Sequence, residues 1–354
     1  NEYFGEHSIG KVSSIVDLKN AHNILLVTGK KSYQRSGLQA HLEQQLQNKN
    51  LIIVNDFQIN PKYDDICRLG KKLKYLSLDL IIAGGGGSVI DFAKCLNVYL
   101  SSQDGAGSDG IIDPALMPEK FLPMIAIPTT AGTGSEATHF AVAYVNEKKI
   151  SVAHKSLVPD YAIIDPMLCY ASPEYISACC AFDALSQAIE SLWSVGATTE
   201  SKIYAEQSIL LLKSGMLKAI KHDSHEARAD VSMGAFLSGK AINLSKTTAP
   251  HALSYALTSK LNIPHGHAVA LTLGHFLEMN DSAIFNDHIS HAIGLSSHLE
   301  NMKIIKTCLG WLDVNNLHQH WSDFMNECGL IPSIKNLDTP SAKLDDLVDA
   351  VNIE

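Results

Sequence analysis

The run DLIIAGGGGSVIDFAK, Asp79 to Lys94, constrains the fold more than any other stretch. A short apolar segment ends in four consecutive glycines and opens at once into a helix-period pattern. Four adjacent glycines cost backbone entropy that an ordinary turn does not require. They let a ligand approach the main chain, and the helix behind them offers free N–H groups and the positive end of its dipole to a phosphate. The spacing is not the GxGxxG dinucleotide fingerprint. The stretch reads as a strand, a phosphate cradle and a helix, with a plain tight turn as the simpler alternative.

The same unit recurs. NILLVTG (Asn23–Gly29) and LIIVNDF (Leu51–Phe57) are strand candidates, and SGLQAHLEQQL and DDICRLGKKLKYL are the helices that follow them. FLPMIAIPTTAGTGSE is a further strand that ends in a loop rich in hydroxyls and glycine. Strands alternating with helices predict βαβ units and a mostly parallel sheet covered on both faces. Open sheets of this kind bind ligands beyond the carboxyl ends of their strands, which is where both glycine loops fall.

After about residue 170 the period changes to 3.6. ISACCAFDALSQAIESLWS, TESKIYAEQSILLLKSGMLKAI, EARADVSMGAFLSGKAI and HALSYALTSKL all read as helices. The expected organisation is an α/β domain over 1–170 and an all-α domain over 171–354. VPDYAIIDPMLCYASPEY is the linker, punctuated by Pro159, Pro166 and Pro173.

Apolar residues make up 46% and charged residues 18% of the 354, the profile of a soluble globular protein with a large core. A net charge of −9 argues against nucleic acid as the main partner. No apolar run reaches the ~18–20 residues of a membrane span. No signal peptide is visible, although the chain starts at Asn1 and either end can be trimmed. Seven cysteines, an odd number with no CxxC, fit reduced thiols in a cytoplasmic protein.

In the helical half, Asp183 and Gln187 lie four residues apart and share a helix face. His251 and His265 follow in HALSYALTSKLNIPHGHAVALTLGH. Carboxylate and imidazole are common ligands of divalent metals, and an amide oxygen is a weaker one. Sixteen histidines in the chain make a structural role the competing reading for each.

Taken in order, GGGGSVIDFAK, PTTAGTGSEAT, Lys149 with LVPDYAIIDP, the DALxxAIE segment, and His251 with His265 in PHG resemble the iron-containing (group III) alcohol dehydrogenases. The resemblance runs over nearly the whole chain. It implies an N-terminal dinucleotide-binding α/β domain with a parallel sheet and an all-α C-terminal domain, in a dehydroquinate-synthase-like architecture with a catalytic cleft between them. It also implies one divalent metal, Fe2+ or Zn2+, and a homodimer or larger homo-oligomer. The family's metal ligands fall on Asp183, His251 and His265, and on Gln187 in place of its usual histidine. Tyr255 stands where many members have a histidine that is a proton-relay candidate, and His267 is the candidate substitute.

For the cofactor, the family's phosphate loop falls on Gly86, Gly87, Ser88 and Asp91, its threonine pair on Thr129 and Thr130, and its cleft lysine on Lys149. Asn60 matches a position near the adenosine. NAD-preferring members carry an Asp where this chain has Gly29, followed by Lys30 and Lys31. An Asp would repel a 2′-phosphate, whereas glycine makes room and a lysine attracts it, so NADP(H) is expected over NAD(H). The plainer reading is a solvated turn.

The implied chemistry is hydride transfer between a nicotinamide and a small aldehyde or alcohol. Lys246, Thr247 and Thr248 precede His251, where many members have small or apolar residues. A lysine there suits an anionic substrate group. DALSQAIES, KTTAPHALSY and IPHGHAVALTLG also resemble the phosphonoacetaldehyde-reductase branch, which makes 2-hydroxyethylphosphonate. The alternatives are a generic short-chain alcohol or polyol dehydrogenase, and a metal-free, non-catalytic nucleotide-binding protein.

Overall fold

The computed structural model describes residues 1–102, 116–146, 148–222, 224–282 and 294–339, with 347 and 351 as isolated positions. The chain forms two compact units. The first comprises Asn1–Thr130 and Ser135–Ser172, and the second Ala131–Gly134 and Pro173–Glu354.

The first unit is built on a six-stranded sheet of order β1-β8-β5-β4-β2-β3, every pair parallel. Its strands are β1 (Glu2–Phe4), β2 (Asn23–Thr28), β3 (Asn50–Val54), β4 (Leu80–Gly85), β5 (Met124–Pro128) and β8 (Tyr161–Ile164). Every residue of β4, β5 and β8 is buried. Strands covered on both faces carry continuous apolar runs, which is why LIIA and MIAI show no alternation. Successive side chains still part to opposite faces. Leu25, Val27, Ile81 and Ala83 pack with Ile66 of α4 (Tyr63–Leu73) and Phe92 of α5 (Gly87–Ser101). Ile24, Leu26, Leu80 and Ile82 pack on the other face with Val12 of α1 (Lys11–Leu18) and with Leu42 of α3 (Leu38–Gln45), which follows the single turn α2 (Ser32–Arg35). Each of the larger of these side chains, Val, Leu, Ile and Phe, contributes about 1.5–3 kcal/mol by leaving water.

Two segments depart from the expectation drawn from sequence. The expected linker contains YAII, which is strand β8, in register with Ile125 and Ala126 on one side and Glu2 to Phe4 on the other. The stretch after the PTTAGTGSEAT loop forms an antiparallel hairpin of β6 (Phe140–Val145) and β7 (Lys148–Ala153), outside the parallel sheet.

Helix α5, which opens at the glycine loop, fastens this hairpin with buried charge. The Lys94 ammonium is fully buried and donates to the Thr138 carbonyl (2.7 Å), the Thr138 hydroxyl (3.1 Å) and the Phe140 carbonyl (2.9 Å). Asp91 accepts from the Ser135 hydroxyl at 2.9 Å and the Val142 N–H at 3.0 Å. Burial pushes Lys94 down to about 8, against the pull of Asp91 and Glu136. Burial likewise pushes Glu136 up to about 7, against its own backbone N–H and Lys94.

The second unit is helical: α6 (Glu174–Trp193), α7 (Thr199–Lys221), α8 (His225–Ser245), α9 (Ala249–Leu261), α10 (His265–Ser282), α11 (Gly294–Leu309) and α12 (Leu317–Glu327). Helix α6 is buried around nearly its whole circumference from Ala178 onward, as a core helix must be. Phe182 packs edge-on to Trp321 of α12 at 5.3 Å between centroids. Polar side chains on such a helix require partners, because an unpaired buried polar group is costly. No described helix is long and apolar enough to cross a membrane.

The raised Glu136 has a consequence for stability. The unfolded carboxyl titrates near its ordinary 4.5 and the folded one near about 7, so the folded state holds the extra proton between those values. Its contribution therefore falls as pH rises through that window. Glu136→Gln removes the loss. The Tm advantage of the variant over the wild type is expected to grow from pH 4.5 to 7 and then level, and a pH-independent difference would contradict the assignment.

Candidate metal centre and nucleotide loops

Asp183, Gln187 and Glu190 lie along one face of α6. Glu190, fully buried, is a site residue that the sequence alone did not reveal. Its carboxylate accepts from the Thr248 N–H (2.8 Å), the Thr248 hydroxyl (2.9 Å) and the His251 N–H (3.4 Å), and it bonds His251 Nδ1. Thr248 is the N-cap of α9 but makes no side-chain cap of its own. Glu190 supplies that cap from outside, where a negative charge is favoured by the helix dipole. Bonding at Nδ1 turns the other ring nitrogen of His251 toward Asp183, with Nε2 3.3 Å from Oδ1.

His265 opens α10 and brings its Nε2 to 3.7 Å from the same Asp183 oxygen. Its Nδ1 lies 3.2 Å from the Ser254 hydroxyl, and Tyr255 stacks on its ring at 5.8 Å. The following Gly266 explains the PHG sequence. A Cβ there would lie 1.9 Å from the Cys179 carbonyl oxygen and 2.9 Å from the Asp183 Cβ. Only glycine lets the start of α10 abut α6 this closely.

Asp183, His251 and His265 thus offer three ligand atoms within 4.8 Å of one another. Burial disfavours the charged form of His251, but Glu190 and Asp183 outweigh it and raise its pKa to about 9. The pocket favours positive charge. One carboxylate and two imidazoles, with a carboxylate behind one imidazole, are a donor set that could hold a divalent metal.

Two expected site residues are placed differently. Gln187 is expected from sequence as a fourth ligand, but its Nε2 donates to the Thr133 carbonyl at 3.3 Å and its Oε1 accepts from the Ser238 hydroxyl at 2.9 Å. The amide ties α8 and the Ala131–Gly134 segment to α6. His267, the candidate proton relay, is fully buried. Its Nε2 donates to the Ile331 carbonyl at 2.8 Å and its Nδ1 pairs with the Tyr175 hydroxyl at 3.0 Å. Burial lowers its pKa, only partly countered by Ile331, and both ring nitrogens are engaged within the helical unit. Lys246 is exposed and terminates α8, five residues before His251.

In the first unit the expected nucleotide residues gather at the carboxyl ends of the strands. Gly29 follows β2, Gly86 follows β4, and Thr129 and Thr130 follow β5. Gly86 is the N-cap of α5 and provides no side-chain cap, and Gly87 and Ser88 open its first turn. A Cβ on Gly86 would meet Thr130 Oγ1 at 3.1 Å, so the residue leaves the gap between the two loops open. Among the described residues the buried Thr129 hydroxyl has no hydrogen-bond partner, so it has bonding capacity left for a ligand. Asn60 donates its N–H to Ser88 Oγ at 3.3 Å. Asp91 spends both oxygens inside the unit, and Lys149 on β7 acts on Asp91 through its charge.

The family model described as iron-containing alcohol dehydrogenase matches residues 1–166, and its C-terminal counterpart matches 177–353. The chain belongs to the iron-containing alcohol dehydrogenase family. Family membership gives its class, an oxidoreductase acting on alcohols, in a family that binds a divalent metal and NAD(H). It is 32% identical to long-chain-alcohol dehydrogenase 1 of Geobacillus thermodenitrificans over 280 residues, 77% of this chain and 68% of that one. It is also 32% identical to a phosphonoacetaldehyde reductase of Streptomyces viridochromogenes over 254 residues, 67% of this chain and 61% of that one. The structure of sulfoacetaldehyde reductase from Bifidobacterium kashiwanohense in complex with NAD+ superposes with a TM-score of 0.86 at 28% identity, covering 100% of this chain and 90% of that one.

In this iron-containing alcohol dehydrogenase, removing the charge behind His251 while keeping its shape, with Glu190→Gln, is expected to lower metal affinity about 10- to 100-fold in a chelator competition. An affinity that does not change would detach Glu190 from the site. Gln187→Ala is expected to leave the same affinity within about threefold while lowering Tm, because the amide's bonds are worth about 1 kcal/mol each. A loss of metal comparable to that of Asp183→Ala would restore Gln187 as a ligand.

Proposed function

We propose that this dehydrogenase is a metal-dependent, NADP(H)-preferring aldehyde reductase for a small anionic aldehyde, with phosphonoacetaldehyde, reduced to 2-hydroxyethylphosphonate, as the best-fitting substrate. The metal ligands are Asp183, His251 and His265, and Fe2+ and Zn2+ both suit one carboxylate with two imidazoles. When bound, the ion supplies Lewis acidity toward a substrate oxygen and the nicotinamide supplies the hydride. The chain's own contribution is to hold the donors at fixed spacing, to keep His251 oriented through Glu190, and to seat the nucleotide on Gly86, Gly87, Ser88, Thr129 and Thr130. With both nitrogens of His267 engaged, the proton is assigned to ordered water, a ribose hydroxyl or another nearby side chain. A cytoplasmic homodimer or larger assembly belongs to the same reading.

The observation that carries the substrate class is the backbone of Lys246. It has φ 63° and ψ 172°, a region that is essentially restricted to glycine. The surroundings enforce it. Ser194 Oγ donates to the Ser245 carbonyl at 2.6 Å on one side, and Glu190 holds Thr248 on the other. A non-glycine residue costs about 1–3 kcal/mol in this conformation, so the lysine stands there against a backbone penalty. An exposed ammonium at the entry to the helix that carries His251 suits a phosphonate or sulfonate group. The similarity to a phosphonoacetaldehyde reductase, and in structure to a sulfoacetaldehyde reductase, supports the same class. For the cofactor, Gly29 followed by Lys30 and Lys31 supports NADP(H).

The test is a panel of phosphonoacetaldehyde, sulfoacetaldehyde, acetaldehyde and propanal, with NADPH and NADH, in defined metal. Lys246→Ala is expected to raise KM for the two anionic aldehydes about 10- to 100-fold, the worth of a charged hydrogen bond, and to leave the neutral ones within about twofold. Equal effects on both classes, or a wild type that prefers propanal, would make it a generic short-chain enzyme.

A further inference from the structure

Asp56, two residues beyond β3, holds its carboxylate between two cations. Lys30 Nζ lies 3.5 Å from Oδ1 and Arg68 Nη1 lies 3.3 Å from Oδ2. Lys30 directly follows Gly29 at the end of β2, and β2 and β3 are paired neighbours in the parallel sheet. The three charges therefore stand at the carboxyl ends of adjacent strands, where sheets of this type receive nucleotides. The same loop is tied to the glycine-loop helix by the bond from the Asn60 N–H to Ser88 Oγ.

Arg68 is independently fixed. Its Nη2 donates to the Asp56 carbonyl at 2.5 Å and to Asp65 Oδ1 at 2.7 Å, and its Nε donates to the same Asp65 oxygen at 3.2 Å. Asp65 in turn accepts from the Gln58 N–H at 3.0 Å. The guanidinium keeps its place if the Asp56 carboxylate leaves. That carboxylate can leave, because the side chains of Asp56 and Lys30 are 74% and 64% exposed, and exposed ion pairs are weak.

We propose that the Asp56 carboxylate is a displaceable occupant of a 2′-phosphate seat formed by Lys30 and Arg68, and that its charge sets how strongly the enzyme separates NADP(H) from NAD(H). The proposal rests on the cofactor reading given above. A phosphate dianion satisfies a guanidinium and an ammonium better than a single carboxylate does. Asp56 must move aside for it, and its negative charge opposes the dianion nearby. With NADH there is no phosphate and the carboxylate stays on its two cations. Asp56 thus favours NADH relative to NADPH, while Lys30 and Arg68 pull the other way.

The test is direct binding without aldehyde: Kd for NADPH, NADH and adenosine 2′,5′-bisphosphate by titration calorimetry, on wild type, Asp56→Asn and Arg68→Gln. Asp56→Asn keeps the shape and removes one charge. It is expected to raise the NADPH-over-NADH affinity ratio about three- to tenfold, the effect of one unit charge on a dianion ~6 Å away in water. Adenosine 2′,5′-bisphosphate should tighten in parallel. Arg68→Gln is expected to lower the ratio by about tenfold, with circular dichroism showing that it folds. If Asp56→Asn, an exposed position that poses little risk to folding, leaves the ratio within twofold, the seat is overturned. If the wild type binds NADH more tightly, the cofactor reading fails, and a rise in the ratio in Asp56→Asn still supports the seat.

Discussion

The bond between Glu190 and His251 is the constraint on which the geometry of the helical unit depends. A carboxylate removed from water is tolerable only when its lone pairs are all engaged. Glu190 meets that condition by taking donors from the first turn of α9, and so it decides where α9 begins and how His251 is turned. His251 then faces Asp183, one side chain earlier on the same face of α6 as Gln187. The third donor, His265, reaches the cluster because Gly266 lets α10 lie against α6. One core helix supplies both the acid that faces the two imidazoles and the acid that orients one of them.

The α/β unit solves a related problem with the same means. The loop that follows β5 leaves to pack as Ala131–Gly134 in the other unit and returns at Ser135. Its return is fixed to α5 by Asp91 and Lys94, about one and two helical turns behind the glycines. The two loops that carry the expected nucleotide contacts are thereby anchored to one rigid helix. Buried charge in both units fastens long-range segments to a helix that carries functional positions.

Much of this is legible in the residues. The central strands show as continuous apolar runs, and the second half as repeated 3.6-residue periods. The strand YAII reads as a linker because prolines flank it, and only its pairing with residues about 35 and 160 positions away makes it a strand. The hairpin is hidden by its charged second arm, beginning at Lys148 and Lys149. Asp183, His251 and His265 are visible because their residue types carry the chemistry. Glu190 is not, since a glutamate in a helix reads as solvated. Its one signal is a carboxylate seven residues after Asp183, on the same apolar-flanked face. For Gln187 and His267 the residue types are right for a site, but sequence does not show that Ser238, Thr133, Tyr175 and Ile331 stand beside their polar atoms.

On the substrate reading proposed above, Lys246 sets stability against selectivity in a single codon. A redesign guided by folding energy alone would write glycine there and gain from a relaxed backbone. The same change would erase the ammonium, and the product would be a sturdier enzyme with a broader diet. Variants selected for heat resistance should accordingly be screened at this position before their substrate range is taken as the parent's.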